Sequence, residues 1–240
     1  MHRMFRSTTF QMAALAALAV AMTAGRVDAG SIVEYELFGQ PGNQVSSSAT
    51  FAATGATGSA LVRGAGLTAT AASNGFAASG WNDLSATDYF QLGFTLAAGY
   101  SATVDQFILA SRSSGTGPGF VEIDASVDGG AFTKVTTLVQ DGTNYNNALV
   151  NLGLTVHSSL VLRLRVDPTN AASANGGAIG SAGTYRISDY SGDGGQTYAP
   201  ISLTGTISQT AAVPEPASIA MLSIASLGVL AVRFRFRSAR

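Results

Sequence analysis

The stretch FVEIDASV at residues 120–127, followed by DGG at 128–130 and AFTKVTTLV at 131–139, determines the fold class of this chain. Within it, Val121, Ile123 and Ala125 alternate with Glu122 and Asp124. A period of two over roughly eight residues is the pattern of a strand with one buried face. The Asp-Gly-Gly sequence between two such runs predicts a short hairpin turn. This stretch therefore predicts an antiparallel hairpin.

The same alternation returns elsewhere, for example at residues 160–166, where Leu160, Leu162 and Leu164 alternate with Arg163 and Arg165. Candidate strands lie at residues 32–38, 60–70, 89–96, 101–110, 120–127, 132–139, 149–154, 160–166, 185–190 and 201–207. Segments dense in Gly, Ser, Asn and Pro predict loops at residues 43–50, 111–119 and 168–183. The pattern predicts an all-β fold, an antiparallel β-sandwich of the jelly-roll type.

Composition excludes several classes of function. The 240 residues include 13 Lys and Arg against 14 Asp and Glu, and no Cys. A net charge near zero argues against nucleic-acid binding by the whole chain, and the lack of Cys excludes disulfides, Cys-ligated zinc and thiol catalysis. Residues 30–210 hold six cations and twelve carboxylates, a net charge of about −6, so the middle of the chain is acidic.

The N-terminal segment has the features of a secretory signal peptide. Arg3 and Arg6 precede an apolar run at residues 13–22, and the small residues that follow offer two cleavage sites, after Ala24 and after Ala29. The second is preferred because strand-like sequence begins at Ser31. The apolar run is far shorter than the ~20 residues that span a bilayer. We expect residues 1–29 to direct export through the Sec translocon and to be removed by signal peptidase after Ala29.

The C-terminal segment predicts a membrane anchor. A Pro-Glu-Pro sequence is followed by an uncharged, mostly apolar run at residues 217–232 and then by a cluster of arginines. As a helix, that run spans about 24 Å, somewhat less than the ~30 Å hydrocarbon core. Basic residues after a span stay cytoplasmic. Residues 30–210 are therefore predicted to lie outside the inner membrane, as the signal peptide also requires.

This three-part tail resembles the PEP-CTERM sorting signal. The resemblance implies processing by an exosortase, an integral-membrane enzyme of the cysteine transpeptidase type, in a Gram-negative-type bacterium that makes exopolysaccharide. It also implies delivery to the cell surface or the extracellular matrix. The residues that match the motif are Pro214, Glu215, Pro216, Arg233, Arg235 and Arg237.

The chain thus divides into a signal peptide (residues 1–29), a β-sandwich (30–210) and a sorting signal (211–240). Within the middle part, residues 88–101 and 111–118 resemble carbohydrate-binding-module-like jelly rolls of PEP-CTERM proteins, without transferable binding residues. Trp81 is the best single candidate for stacking on a sugar ring, although a lone Trp in a sandwich is also a typical core residue.

Other candidate sites are few. Asp189 and Asp193 gather oxygen ligands in a Gly-rich segment that Ca²⁺ accepts, but Asp and Gly also form ordinary turns. No other cofactor is predicted. Glu122 and Asp124 share a strand face, as a carboxylate pair for glycoside hydrolysis does, and His157 lacks the motif of a catalytic triad.

The leading hypothesis is a non-enzymatic, exported surface or matrix protein in adhesion or association with extracellular polysaccharide. The alternatives are an extracellular carbohydrate-active enzyme and a purely structural envelope component.

Overall fold

The computed structural model describes residues 30–189 and 199–209. Within these two ranges the chain forms fifteen β-strands and no helix, arranged in sheets of nine and six strands. One hydrophobic core lies between the two sheets. The all-β sandwich predicted from the sequence is therefore confirmed.

The nine-stranded sheet contains the longest strand and most of the short ones. Its members are β1 (Gly30–Tyr35), β2 (Pro41–Gly42), β4 (Phe51–Ala52), β6 (Thr68–Ala69), β7 (Gly75–Ser79), β9 (Tyr100–Ser113), β12 (Asn146–Val156), β14 (Tyr185–Ser188) and β15 (Ile201–Gln209). Strand β9 is central, because β12 pairs with one of its edges while β15 and β14 follow one another along the other.

The six-stranded sheet has the order β11-β10-β13-β8-β5-β3. Its strands are β3 (Ser46–Ser47), β5 (Ala56–Arg63), β8 (Phe90–Leu96), β10 (Phe120–Val127), β11 (Thr133–Val139) and β13 (Ser159–Val166). From β8 to β14 the chain crosses repeatedly between the two sheets, a connection that double-sheet jelly rolls use. Among the described strands, the β2–β7 pair is parallel and the other pairs are antiparallel.

Some strand bounds differ from the sequence prediction. Residues 60–70 form the end of β5 and the separate strand β6, because the chain turns close to Thr87 at Gly64, where a Cβ would lie 1.9 Å from the Thr87 carbonyl oxygen. Strand β7 was not predicted: its sequence GFAAS is buried along nearly its whole length and so shows no alternation. Strand β9 continues to Ser113, into a segment predicted as a loop.

The hairpin between β10 and β11 forms as predicted. Asp128 and Gly129 have φ of 53° and 75°, and the Gly130 N–H donates to the Val127 carbonyl at 2.9 Å. Positive φ at both central residues is the geometry of a type I′ turn, whose twist matches that of the paired strands. In β10, Val121 and Ile123 are buried in the core, as the alternation in the sequence predicted.

The Asp128 carboxylate also joins this turn to the next hairpin. It accepts the backbone N–H groups of His157, Ser158 and Ser159 at 2.9, 2.6 and 3.1 Å. Burial acts to raise the pKa of Asp128, but these hydrogen bonds outweigh it and lower the pKa to about 2. The turns β10–β11 and β12–β13 are therefore tied at the same end of the sandwich.

Aromatic rings fill the centre of the core. Trp81 is fully buried and meets Phe90 and Tyr185 edge-to-face, at centroid distances of 5.1 and 5.6 Å, while Phe76 meets Phe90 at 5.3 Å. Edge-to-face contact is favourable because the ring edge is positive and the face negative. The Trp81 Nε1–H donates to the Ala78 carbonyl at 2.9 Å, so its one polar group is satisfied.

A tyrosine hydroxyl bridges the two sheets. The single O–H hydrogen of Tyr35 on β1 is shared between the carbonyl oxygens of Ser59 on β5 and Gly93 on β8, at O–O distances of 2.7 and 2.8 Å, and the hydroxyl oxygen accepts the Gly93 N–H at 3.2 Å. Burial raises the pKa of Tyr35 to about 12. The hydroxyl therefore stays protonated and fixes β1 of one sheet against β5 and β8 of the other.

We expect Asp128→Ala to lower the free energy of unfolding by about 1 kcal/mol, because a Cβ without a polar group is unfavourable in the left-handed region and three backbone N–H groups lose their acceptor. Asp128→Asn is the matched control, since Asn tolerates positive φ. Chemical denaturation at pH 7 measures both. Equal stability of the Ala and Asn variants would contradict the role assigned to the turn.

The same carboxylate gives a pH signature. A folded-state pKa of about 2, below the usual aspartate value of 3.8, means that the stabilising contribution of this carboxylate is present above pH ~4 and lost as the pH falls towards 2. Wild-type protein should lose more stability than Asp128→Asn across this interval. Parallel curves of unfolding free energy against pH for the two proteins would contradict this prediction.

Candidate functional site

The outer face of the six-stranded sheet carries an ionic network. Glu122 on β10 lies opposite Arg165 on β13, and the Arg165 Nη2 and Nε donate to Glu122 and Asp124 at 2.7 and 2.6 Å. Lys134 on β11 contacts Glu122 at 3.1 Å and Asp167 at 2.7 Å. The outward-facing charges predicted for β10 and β13 therefore pair across neighbouring strands.

The carboxylates of this network lie beneath the cations. The side chains of Glu122 and Asp124 are 5% and 4% exposed, against 42% for Arg165. Burial, and then the neighbouring Asp124, raise the pKa of Glu122 although Lys134 and Arg165 oppose them. Contact with Lys134 holds the pKa of Asp167 well below its usual range. Covered, paired carboxylates of this kind stabilise the sheet and are poorly placed to reach a substrate.

Next to the network, two rings enclose a guanidinium group. Arg163 lies 4.1 Å from the ring centroid of Tyr89 and 4.2 Å from that of Phe132, and its Nε donates to Gln91 at 2.8 Å. A guanidinium over an aromatic face is favourable. These rings are thus occupied by a side chain of the protein itself.

The outer face of the nine-stranded sheet has a different character. A depression of about 630 Å³ lies over the middle of β9, between β12 on one side and β15 and β1 on the other. Four of its eight lining residues have uncharged polar side chains, and the others are two glycines, one carboxylate and one apolar residue: Gly30, Ser31, Asp105, Gln106, Ile108, Asn151, Gly153 and Thr204. The Gln106 Nε2 donates to the Asn151 Oδ1 at 3.1 Å, which orients both amides at the surface.

Irregular strand pairing shapes this depression. In the β15–β9 pair, Thr204 lies opposite Gln106 and Gly205 opposite Val104, so Asp105 has no partner. On the other edge, Asn151 lies opposite Gln106 and the register shifts before Leu154. β1 also shifts register against β15, between Ser31 and Val33. Bulges bend strands and redirect side chains, and are frequent beside functional sites.

These lining residues were not singled out from the sequence. A signal was present, because an isolated Gly within a strand pattern indicates a bulge, and Gly153 and Gly205 both stand in strands at the register shifts. Gly153 has φ of 60°, which favours glycine. Its place with Asp105 in the lining of one depression depends on the pairing of distant strands.

The structure corrects the prediction for Trp81. The side chain is 0% exposed and packs in the core against Phe90 and Tyr185. Burying the large apolar surface of the indole ring is favourable in free energy, and a buried ring cannot stack on a sugar. The alternative interpretation, a core tryptophan, describes its position.

Asp189 lies at the end of β14, in contact with the segment that follows β1. Its Oδ1 and Oδ2 accept the backbone N–H groups of Leu37 and Phe38 at 2.9 and 2.8 Å. Burial, and then Glu36, raise the pKa of Asp189 to about 7. Asp193 lies outside the described residues, and residues 30–189 and 199–209 contain no cluster of three or more Asp, Glu or His side chains arranged for a metal. Calcium binding by Asp189 and Asp193 stays a prediction.

The predicted terminal segments lie outside the described part of the chain. This includes the signal peptide and all residues of the sorting motif: Pro214, Glu215, Pro216, Arg233, Arg235 and Arg237. In the part that is described, no helix is long and apolar enough to cross a membrane. The last described strand ends at Gln209, one residue before the predicted end of the sandwich.

Comparison with known proteins yields similar structures only. No protein-family model and no curated protein matches the chain. A family 29 carbohydrate-binding module is 12% identical, with 80% of this chain and 97% of the module covered and a TM-score of 0.38. A CBM29-2 variant complexed with mannohexaose is 13% identical, with 68% and 89% covered and a TM-score of 0.37. At these TM-scores the fold assignment rests on the strand pairing described above.

The network on the six-stranded sheet gives a stability prediction. We expect Arg165→Gln to lower the free energy of unfolding by about 1–2 kcal/mol at pH 7, because two buried carboxylates lose their shared cation. The figure is reduced because water screens a partly exposed guanidinium. Arg163→Gln is the control on the same strand, since Arg163 forms no ion pair with a carboxylate of residues 30–189 or 199–209. Equal melting temperatures for both variants would contradict the assignment.

The pH dependence of the Arg165→Gln variant has a defined sign. Loss of the cation raises the pKa of Glu122 further. A carboxyl whose pKa is higher in the folded than in the unfolded state lowers the free energy of unfolding of the protein as the pH rises between these two pKa values. The difference between wild type and variant should therefore shrink as the pH is lowered from 7 towards 5. A difference that grows on acidification would contradict this sign.

Proposed function

We propose that this chain is an exported, non-enzymatic protein of the cell surface or extracellular matrix that associates with polysaccharide. The depression over β9 is the proposed contact surface. Its lining offers carboxylate, amide and hydroxyl groups, which together donate and accept hydrogen bonds. Each hydroxyl group of a sugar chain can both donate and accept a hydrogen bond, so a sugar chain can pair with these groups.

The observation that carries the proposal is the register shift around Asp105. The unpaired Asp105, the amide pair of Gln106 and Asn151, and the Thr204 hydroxyl all line one depression at the shift. Its volume of about 630 Å³ falls within the ~300–1,000 Å³ of small-molecule sites. Ile108 adds an apolar patch for the C–H face of a sugar ring.

Two features support a binding protein over a glycoside hydrolase. Glu122 and Asp124, the carboxylate pair proposed for hydrolysis, share Arg165 and are almost fully covered. A hydrolytic pair needs an acid and a base or nucleophile on either side of the scissile bond. The depression over β9 has a single carboxylate, Asp105, among its lining residues.

The terminal segments support the proposed route to the cell surface. A basic start, a short apolar run and small residues before Ala29 suit export by the Sec translocon and cleavage by signal peptidase. Pro214, Glu215 and Pro216, followed by an apolar run and arginines, suit retention in the inner membrane and processing by an exosortase. The mature protein would then carry the sandwich outside the cytoplasm.

The proposed contact surface is tested by binding. We expect the full chain, in neutral detergent micelles, to bind at least one polymer on a polysaccharide array, and the Gln106→Ala/Asn151→Ala variant to bind it roughly tenfold more weakly, because two hydrogen-bonding groups are lost. Thr95→Ala, on an exposed position of the other sheet, is the control. A blank array, or equal binding by the variants, would overturn the proposal.

The sorting route is tested by the mass of the protein purified from its native host. We expect the mature form to begin at Gly30 and to lack the arginine cluster, and Glu215→Ala to accumulate with its tail retained in the inner membrane. Ser218→Ala, just beyond the Pro-Glu-Pro sequence, is the matched control. A mature protein that keeps both Met1 and Arg240 would refute export and processing together.

A further inference from the structure

Two arginines face each other on the outer side of the nine-stranded sheet. Arg112 on β9 and Arg186 on β14 are directly opposite in the strand register, and both side chains are partly exposed. Like charges at opposed cross-strand positions are destabilising. The arrangement therefore has a cost that an anion between the two guanidinium groups would remove.

Neither guanidinium group is neutralised within the described part of the protein. Ion pairs there involve Lys134 and Arg165, Arg163 donates to Gln91, and Arg63 donates to backbone carbonyls. The side chains of Arg112 and Arg186 form no hydrogen bond or ion pair with a described residue, and their contact is with the ring of Tyr145, at 5.9 and 4.8 Å. In a domain with twice as many carboxylates as cations, two adjacent cations without an acidic partner are unexpected.

The arginines line a second, smaller depression, of about 220 Å³. Thr70, Ser114 and Thr184 contribute to its wall. The Thr70 Oγ1 is buried and has no hydrogen-bond partner in the structure. A buried hydroxyl without a partner is costly, and this one belongs to a residue of the wall of the depression.

We propose that Arg112 and Arg186 bind the carboxylate of a uronic acid residue in an acidic polysaccharide. Guanidinium groups match a carboxylate through paired N–H donors. Tyr145, 40% exposed beside both arginines, offers a ring face for the sugar. This inference rests on the proposed function and names the class of polymer that the same sheet face accepts.

The two depressions lie on one face along one strand. From residue 106 to the end of β9, the side chains of Gln106, Ile108 and Arg112 point to the same outer side, because side chains alternate with a period of two and the buried odd-numbered residues of this stretch face the core. Six residues of strand separate Gln106 from Arg112, which is about 20 Å. A polymer that follows β9 therefore passes from the depression at Gln106 and Asn151 to the arginine pair.

Charge supports a local site over general attraction. Residues 30–210 carry a net charge of about −6, which repels a polyanion as a whole. Attraction must therefore come from the arginine pair itself. Removal of either arginine should have a larger effect than removal of an arginine elsewhere.

The test compares oligogalacturonate with its fully methyl-esterified, uncharged form, using calorimetric titration of the full chain in neutral detergent micelles. We expect the charged oligomer to bind, the ester to bind at least tenfold more weakly, and Arg112→Gln and Arg186→Gln each to weaken binding of the charged oligomer by about tenfold or more. Arg163→Gln removes the same charge from the opposite sheet and should change affinity less than twofold. Equal affinity for the charged oligomer and its ester, or an equal effect of all three substitutions, would overturn the inference.

Further arms identify the source of the anion and separate this inference from the one before. Tighter binding of a sulfated polysaccharide, or of inorganic phosphate alone, would overturn the assignment to a uronate. Binding of a neutral polymer that depends on Gln106 and Asn151 but not on the arginines would leave the proposed function standing and reject this inference. If the wild-type protein binds neither the charged nor the neutral polymers, both the proposed function and this inference are rejected.

Discussion

Contact between the apolar inner faces of two sheets is the constraint on which this structure depends. Trp81, Phe90 and Tyr185 meet edge-to-face between the sheets, and the Tyr35 hydroxyl joins β1 to β5 and β8. With these groups inside, every charged side chain of the long strands must turn outward or be paired. The two outer faces are then free to take different roles.

The two faces solve the problem of charge in different ways. On the six-stranded sheet, Glu122, Asp124 and Asp167 are covered by Lys134 and Arg165, so that each carboxylate is paired with a cation. On the nine-stranded sheet, the polar groups are turned towards solvent in two depressions. On the six-stranded sheet, the charged groups are hydrogen-bonded to each other. The nine-stranded sheet leaves its polar groups for another molecule, which is why the proposed ligand surface lies there.

Irregularity in the long strand β9 creates that surface. A regular ladder presents a flat array of side chains, whereas the shift in the β15–β9 pair leaves Asp105 without a partner there. Gln106 and Asn151, which are register partners in the β12–β9 pair, form a side-chain hydrogen bond beside it. Gly153 tolerates the positive φ that β12 requires at the same place. Farther along β9, the register with β14 brings Arg186 to Arg112. One strand therefore organises both proposed contacts.

Alternation along β10 and β13, and Asp128 and Gly129 in the turn, were sufficient to predict the sandwich and the hairpin, because period-two burial and positive φ are local properties of the chain. The same reasoning missed β7, whose small buried residues show no alternation, and placed Trp81 at the surface as one alternative, since a ring's burial depends on what packs over it. The juxtaposition of Asp105 with Asn151, and of Arg112 with Arg186, arises from pairing between strands far apart in sequence. Only the closed sandwich decides which of these residues become neighbours, because strand register is set by the packing of the whole sheet.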